Sequence, residues 1–420
     1  MKQVPGGVAA PKGFTASGVH CGVKKGKGDG NQPAVKNMPE HLSDKKDLAL
    51  IVSEAPCVAC AVYTMNRVKA APLYVTMDHL ENGEAQGIVA NSGNANACAP
   101  LSHEHAEKMC EFAAKATGLD AKDFVVASTG VIGQELNIGA IEKGLPAAAA
   151  ALSKEGSDDA ANAIMTTDTV KKELSVTCSI GGKTVSIGAI AKGSGMIHPN
   201  MGTMLCFVTT DCAITHEMLD QALHEIVPRT FNRVTVDGDT STNDMCVVLA
   251  NGMAENELIE WKDDGYTVFY KTLHHVFEQL ARSIAADGEG AGKLITCTVR
   301  NARSEESAER LGKAVVGSAL VKAAMFGSDA NWGRVLCAMG YSKAPFRPEF
   351  VNIRFRSAVG EIEVCRQGAG LNFDEAQARS ILEQDEVVID VDLNEGEHEA
   401  SCWGCDLTYD YVKINGDYRT

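Results

Sequence analysis

The stretch AKGSGMIHPNMGTMLCFVTTD, residues 191–211, decides how this chain is read. Glycines at 193, 195 and 202, with Pro199 and Asn200, exclude a regular element across its first part. MLCFVTT, residues 204–210, is apolar and β-branched and predicts a strand. The Gly202–Thr203 step therefore falls in an irregular loop at the head of a strand, a setting for an N-to-O acyl shift. The Thr203 hydroxyl attacks the Gly202 carbonyl, and hydrolysis of the resulting ester leaves Thr203 as a new N-terminus. Such a residue carries a hydroxyl nucleophile beside its own α-amine, whose reference pKa of about 8 suits a general base near neutral pH. No histidine is needed, and His198 reads as a structural, hydrogen-bonding residue. Taken alone, a Gly-Thr step before a strand is equally a structural turn.

Working outward, Leu174, Val176, Cys178 and Ile180 alternate with Ser175, Thr177 and Ser179, and Gly181-Gly182 leads into a second alternating run through Val185 and Ile187. This predicts a β-hairpin with a glycine turn. Residues 44–64 and 86–92 also read as strands, and 98–118 as a helix ending at Gly118. Downstream, Met218, Leu219, Ala222, Leu223 and Ile226 form one stripe of a helix starting near Thr215, and residues 267–286 form a second helix. TCTVRNA, FVNIRF, IEVCR and EVVIDVDL add strands around a short helix at 374–383. Antiparallel-looking strands flanked by long helices predict an α+β layered architecture rather than a dinucleotide-binding fold.

The composition narrows the function classes. Lys plus Arg number 39 against 55 Asp plus Glu, so the net charge of −16 opposes nucleic acid and anionic membrane surfaces as partners. No stretch reaches the roughly 18 uninterrupted apolar residues of a membrane span. Fourteen cysteines in 420 residues are too dilute for a disulfide scaffold, and MKQVPGGVAAPKGFTASG lacks the apolar core of a secretory signal, so a cytoplasmic location is expected. Cys57/Cys60 and Cys402/Cys405 have C-x-x-C spacing, yet PCVACAVY is an apolar run in which cysteine acts as a small hydrophobe, and no metal site is assigned. His103 and His105 lack the H-E-x-x-H spacing and read as solvated surface residues. DGEGAGK (287–293) has Asp287 and Leu294 where a phosphate loop needs Gly and Ser or Thr, and Lys192 stands where the G-x-S-x-G elbow needs Gly.

KGSGMIHPNMGTML (192–205) closely resembles the hallmark of the glutamate N-acetyltransferase/ornithine acetyltransferase family of arginine biosynthesis. Supporting blocks follow the family's order over nearly the whole chain: NSGNANAC (91–98), STGVIG (128–133), IMTTDT (164–169), NRVTVDGDTSTND (232–244), ADGEGAGK (286–293), GSDANWGR (327–334) and WGCDLTYDYVKINGDYRT (403–420). The resemblance implies a layered α/β/β/α-type sandwich similar to N-terminal-nucleophile hydrolases. It also implies self-cleavage into an α chain (1–202) and a β chain (203–420) that stay associated, as a heterotetramer of two of each. Thr203 takes the place of the nucleophile, Gly202 that of the cleavage site, and Thr129 with Gly130 that of the oxyanion hole, a role their hydroxyl and N–H donors suit. Thr166, Lys192, Thr203, Glu289, Asn415 and Thr420 occupy substrate-binding positions; Lys192 can meet a carboxylate and Glu289 an ammonium.

The activity implied is ping-pong transfer of acetyl from N-acetylornithine through Thr203 to glutamate, with release of ornithine and no metal or organic cofactor. Whether acetyl-CoA also serves as an acetyl donor stays open at the level of sequence. The alternatives are a self-cleaving N-terminal-threonine amidase or aminopeptidase, with water as acceptor, and a non-catalytic binding protein on the same fold.

Overall fold

The computed structural model describes residues 1–24, 45–198 and 204–417. Nine strands form one sheet: β1 (Lys2–Gln3), β2 (Phe14–Val19), β3 (Leu48–Tyr63), β4 (Glu84–Asn94), β5 (Phe124–Val131), β6 (Lys172–Ile180), β7 (Lys183–Lys192), β8 (Leu205–Thr210) and β9 (Met245–Ala250). Their order is β1-β6-β7-β8-β9-β3-β4-β5, with β2 paired to β3 off this path. A second sheet of six strands comprises β10 (Leu294–Ala302), β11 (Asn352–Ser357), β12 (Gly360–Arg366), β13 (Ala369–Gly370), β14 (Glu386–Asp392) and β15 (His398–Cys405), in the order β13-β12-β11-β14-β10-β15. Most ladders are antiparallel, as the strand patterns predict, but β4–β5, β8–β9 and β10–β14 are parallel.

The hairpin forms as expected. Ile180 pairs with Lys183, and Gly181 and Gly182 sit at φ 56° and 77°, the left-handed pair that a two-residue turn between right-twisted strands requires. In β3 the pairing with β4 shifts register between Val52 and Cys57, around Pro56, which has no N–H to give a ladder.

Helices α1 (Ala71–His79), α2 (Ser102–Thr117), α3 (Ile138–Ala150) and α4 (Ser157–Ile164) belong to the first half of the chain, α5 (His216–Ile226) and α6 (Asp264–Ala286) to the second. Thr215 caps α5 by accepting from the Met218 N–H, which fixes its start where the sequence places it. Strand alternation divides the core. Cys206 and Val208 of β8 point into a cluster with Leu219, Leu223, Phe269, Phe277 and Ile284 of α5 and α6, while Leu205 and Phe207 join Ala160 and Ile164 of α4 on the opposite face. The second sheet is covered by α7 (Glu305–Gly317), α8 (Ala319–Phe326), α9 (Trp332–Gly340) and α10 (Glu375–Leu382), and α11 (Tyr409–Asp417) ends the described chain. The result is a layered α+β architecture in which no described helix is long and apolar enough to cross a membrane.

The same alternation explains the paired cysteines. Cys57 and Cys60 are three apart on a strand and enter different core clusters; Cys402 and Cys405 do likewise. Burial pushes the thiols of Cys57 and Cys402 up to about 12. Neither pair can converge on one ion, and among the described residues no group of three or more His, Cys, Asp or Glu is arranged to hold a metal. One expectation is corrected: His103 is exposed on α2, but His105 is buried, its ring 3.6 Å from Glu135, because its face of α2 also carries Met109 and Cys110 into the core.

The boundary at 202/203 lies outside the described residues, yet the strands on either side of it share one ladder. β7 pairs with β8 from Lys192↔Leu205 to Ile187↔Thr210. Residues before and after position 203 are thus interleaved in a single sheet. At the centre of β7, a Cβ on Gly188 would lie 1.8 Å from the Gly7 carbonyl oxygen, so the N-terminal segment crosses the strand in contact with bare backbone. Gly188→Ala should cost about 1–3 kcal/mol from this overpacking. A urea melt with an unchanged midpoint would refute the tight crossing.

Candidate active site

Thr129 and Gly130 stand half-buried near the end of β5, where Ser92 pairs with Thr129 and Gly93 with Gly130. Gly130 has φ 131°, and a Cβ there would lie 2.4 Å from the Gly93 carbonyl carbon. The two strand ends approach too closely for any side chain. A buried amide network fixes them from below: Ser128 Oγ donates to Asn91 Oδ1 at 2.6 Å, and Asn243 Nδ2 donates to the Ser128 and Ala95 carbonyls at 2.8 and 2.6 Å. Small donors on such a fixed edge are what an oxyanion site requires.

Lys24 links this edge to the next part of the site. Its stem occupies the space a Cβ on Gly93 would need, and its Nζ donates to the carbonyls of Lys46 and Met165 at 2.9 and 2.7 Å. Met165 precedes Thr166, whose N–H donates to Asp168 Oδ2 at 3.0 Å. Burial pulls the Lys24 ammonium down to about 8, against the opposing pull of Asp47.

Asp168 is almost wholly buried and collects donors from three directions. Its Oδ1 accepts from Lys172 Nζ at 2.8 Å and the Gly193 N–H at 2.7 Å, and its Oδ2 lies 3.9 Å from Lys192 Nζ. Burial alone would raise this carboxyl, but Lys192, Lys172 and the Thr166 N–H outweigh it and hold the group far below the ordinary carboxylate range. Lys172 also reaches Asp287 Oδ2 at 2.5 Å, tying the start of β6 to the loop after α6. Lys192, at the end of β7, is buried and faces Asp168 at the long edge of ion-pair range. It is a positive group available for a carboxylate ligand.

The loop after α6 brings Glu289 against the segment that follows Lys192. The Glu289 N–H donates to the Ser194 carbonyl at 3.0 Å, Ser194 Oγ donates to the Asp287 carbonyl at 2.7 Å, and a Cβ on Gly195 would collide with the Glu289 carboxylate. Asn415 Nδ2, from α11, donates to Glu289 Oε2 at 2.7 Å. Thr166 and Lys192 thus meet at Asp168, Glu289 and Asn415 meet each other beside Ser194 and Gly195, and Thr129 and Gly130 are linked to Thr166 only indirectly, through Gly93 and Lys24. Gly202, Thr203 and Thr420 lie outside the described residues. His198 packs with Nδ1 3.0 Å from Thr235 Oγ1, and burial with nearby Lys313 lowers it to about 4, so it is neutral at pH 7, as a structural histidine would be.

This arrangement meets a family model, described as the ArgJ family, that matches residues 34–420. The chain belongs to the ArgJ family. It is 52% identical over 421 residues to the arginine biosynthesis bifunctional protein ArgJ of Symbiobacterium thermophilum and 49% identical to that of Caldanaerobacter subterraneus, covering all of both chains in each case. Among solved structures, the ornithine acetyltransferase of Mycobacterium tuberculosis complexed with ornithine is 34% identical, with 47% of this chain and 98% of that chain covered and a TM-score of 0.40.

Within this ArgJ chain, the sequence pattern assigns no site role to Lys24, Asp168, Lys172 or Asp287. Asp168 and Asp287 sit inside the blocks IMTTDT and ADGEGAGK, which signalled that something there mattered. Lys24 carried no signal, because one lysine beside Lys25 and Lys27 reads as a solvated charge. The charge balance gives a sign to its pH dependence. The Asp168 pKa is depressed on folding, so its stabilisation is present above the unfolded value of about 3.9 and is lost as pH falls through the folded one. Asp168→Asn leaves two buried lysines short of a counter-charge and should destabilise the fold by about 3–5 kcal/mol at pH 7. The loss relative to the parent should shrink in denaturant melts toward pH 3; a difference independent of pH would contradict the ionised cluster.

Proposed function

We propose that this chain is the arginine-biosynthesis acetyltransferase of the ArgJ family, moving the acetyl group of N2-acetyl-L-ornithine to L-glutamate through an ester on Thr203. The observation that carries the reading is the joined set around Asp168. Lys192, whose partner across the ladder is the first residue of the strand that follows Thr203, holds its ammonium near Asp168, and the chain just beyond it receives the N–H of Glu289 at Ser194. The full-length relatives named as arginine biosynthesis bifunctional proteins support it.

In this mechanism the chain first cleaves itself between Gly202 and Thr203. The freed α-amine of Thr203 then takes the hydroxyl proton as Oγ attacks the acetyl carbonyl of N-acetylornithine. The carbonyl oxygen becomes an oxyanion beside Thr129 and Gly130, and its collapse breaks the C–N bond. The proton passes to the departing nitrogen and ornithine leaves. Glutamate enters, its amine attacks the ester carbonyl, and Thr203 Oγ regains a proton as N-acetylglutamate is released. Lys192 meets the α-carboxylate of either amino acid, and Glu289, Thr166 and Asn415, with Thr420 at the chain terminus, complete the recognition. No cofactor is required; acetyl-CoA is a second donor for glutamate in a bifunctional cycle. The cleaved chains assemble as two α and two β in the cytoplasm.

Intact-protein mass spectrometry before and after addition of N-acetylornithine tests the cycle. Fragments 1–202 and 203–420 are expected, the second gaining one acetyl group, and Thr203→Ala should show neither event. A Thr203→Ala chain still cut at that bond would sink the mechanism. Thr129→Ala should lower kcat by about 10²–10³-fold with KM for N-acetylornithine little changed, because an oxyanion donor acts mainly in the transition state. A rise in KM at normal kcat would move Thr129 to ground-state binding. Acetate release without glutamate as fast as acetylglutamate formation with it would replace the transferase by a hydrolase.

A further inference from the structure

The loop 288–292, Gly-Glu-Gly-Ala-Gly, presses every second residue against the C-terminal segment. A Cβ on Gly288 would lie 2.7 Å from Cys405 Sγ, one on Gly290 2.6 Å from the Tyr411 nitrogen, and one on Gly292 2.9 Å from Asp406 Oδ2. An approach that close leaves no room for a side chain. Asp406, directly after β15, grips the far end of this loop. The Gly292 and Lys293 N–H groups both donate to its Oδ1, at 2.7 and 3.1 Å. Asp406 has a firm base of its own: Leu294 pairs with Cys405 across the β10–β15 ladder, and the buried Lys322 Nζ, from α8, donates to the Cys405 carbonyl at 2.5 Å. The Asp406 Oδ2 is shielded from solvent and, among the described residues, has no hydrogen-bond partner. Packing alone does not account for an acid at this point, since an apolar residue would avoid the cost of burying an unpaired oxygen.

What this grip controls is Glu289. The loop is fixed at three points: by the Glu289 N–H on the Ser194 carbonyl, by the Thr408 hydroxyl on the Gly290 carbonyl, and by the two N–H groups on Asp406. Two of the three belong to residues 406–408. The same segment continues into α11, whose Asn415 donates to Glu289 Oε2 at 2.7 Å. We propose that Asp406 is a positioning residue for ammonium recognition, its Oδ1 clamping the Gly292 and Lys293 amides so that the loop presents Glu289 to the side-chain ammonium of an ornithine-type substrate. This rests on the reading of Glu289 as the ammonium partner. In N-acetylornithine the α-nitrogen is acylated, so the side-chain amine is the one cationic group that Glu289 can meet. A purely structural anchor would serve every substrate alike, whereas this clamp serves the substrate that carries the amine.

N2-acetyl-L-norvaline, which is N-acetylornithine without the side-chain amine, separates the two. For both donors, kcat/KM of acetyl transfer to glutamate is measured in the parent, Glu289→Gln, Asp406→Asn, Asp406→Ala and the double variant Glu289→Gln/Asp406→Ala. The ratio of the two constants does not depend on how much of a preparation is folded. The parent should favour N-acetylornithine by about 10²-fold or more, because the norvaline compound leaves Glu289 unpaired. Glu289→Gln and Asp406→Ala should each lower that preference by at least about tenfold, whereas Asp406→Asn, which keeps an acceptor oxygen for the two amides, should stay within about threefold of the parent. The double variant should match Glu289→Gln within about twofold, since Asp406 acts through Glu289. Parental preference in Asp406→Ala, where Glu289→Gln has lost it, overturns the clamp and leaves Glu289 its role. So does a loss in Asp406→Asn equal to that in Asp406→Ala, or a double variant well below Glu289→Gln. If Asp406→Ala does not fold, Gly292→Ala decides, because its methyl displaces the Asp406 carboxyl: a preference lowered by at least about threefold supports the clamp, and an unchanged one refutes it. A Glu289→Gln enzyme with the parental preference removes the ammonium reading, and this inference with it.

Discussion

Two buried ammonium groups share one buried carboxylate at Asp168, and the geometry around it follows from that arrangement. Removing a charge from water costs several kcal/mol even after relaxation, and the cost is recovered only when partners converge with good geometry. Lys172 comes from the first residue of β6, Lys192 from the last residue of β7, and two further donors are backbone N–H groups of Thr166 and Gly193. Lys172 is shared again with Asp287, so the loop after α6 cannot move away without stranding a cation. The hairpin, the segment after α4 and the loop after α6 are thus tied at one point by electrostatics, in addition to the apolar packing of α6 on the hairpin. The contact of Lys192 is the loosest of the set, which is consistent with a charge kept for a ligand.

Much of this was legible in the sequence because local rules and the fold agree. The Gly181-Gly182 turn, the α5 start at Thr215 and the α2 end at Gly118 each depend on one or two residues whose backbone or capping chemistry admits little else. The family blocks contain Thr129, Lys192 and Glu289. Parallel pairing at β4–β5 and β8–β9 was not legible, since alternation favours antiparallel sheets in general but does not fix the direction of any one neighbour. Nor was the burial of His105, where the pattern HEHAEKMC looks polar although its third residue turns inward with Met109. Lys24 shows the same limit: its role depends on Gly93 having no side chain, a relation between residues 69 positions apart.

The glycines at the site serve charge as much as conformation. Gly93 lets Lys24 lie against the end of β4, Gly130 lets β5 close on β4, and Gly195 leaves room for the Glu289 carboxylate. Each admits a polar group or a bare strand end into a space that a methyl would fill. Gly290, at φ 69°, does the same for the Tyr411 N–H, so the loop that carries Glu289 also receives the start of α11.

That last contact bears on how a substrate amine could be read. None of the residues of α11 is buried, so the helix has no apolar anchor of its own and depends on polar contacts with the loop beneath it. Thr408 Oγ donates to the Gly290 carbonyl at 2.6 Å, and Asn415 donates to Glu289 Oε2. An amide is a neutral donor. It occupies one carboxylate oxygen and fixes the carboxylate in direction without cancelling its charge, whereas a lysine or arginine at position 415 would close the ion pair. Asn415 thus orients Glu289 and leaves its negative charge for an ammonium, as Asp168 restrains Lys192 from a distance and leaves its positive charge for a carboxylate. In the proposed reaction, the two ends of a zwitterionic amino acid would each meet one held but unspent charge.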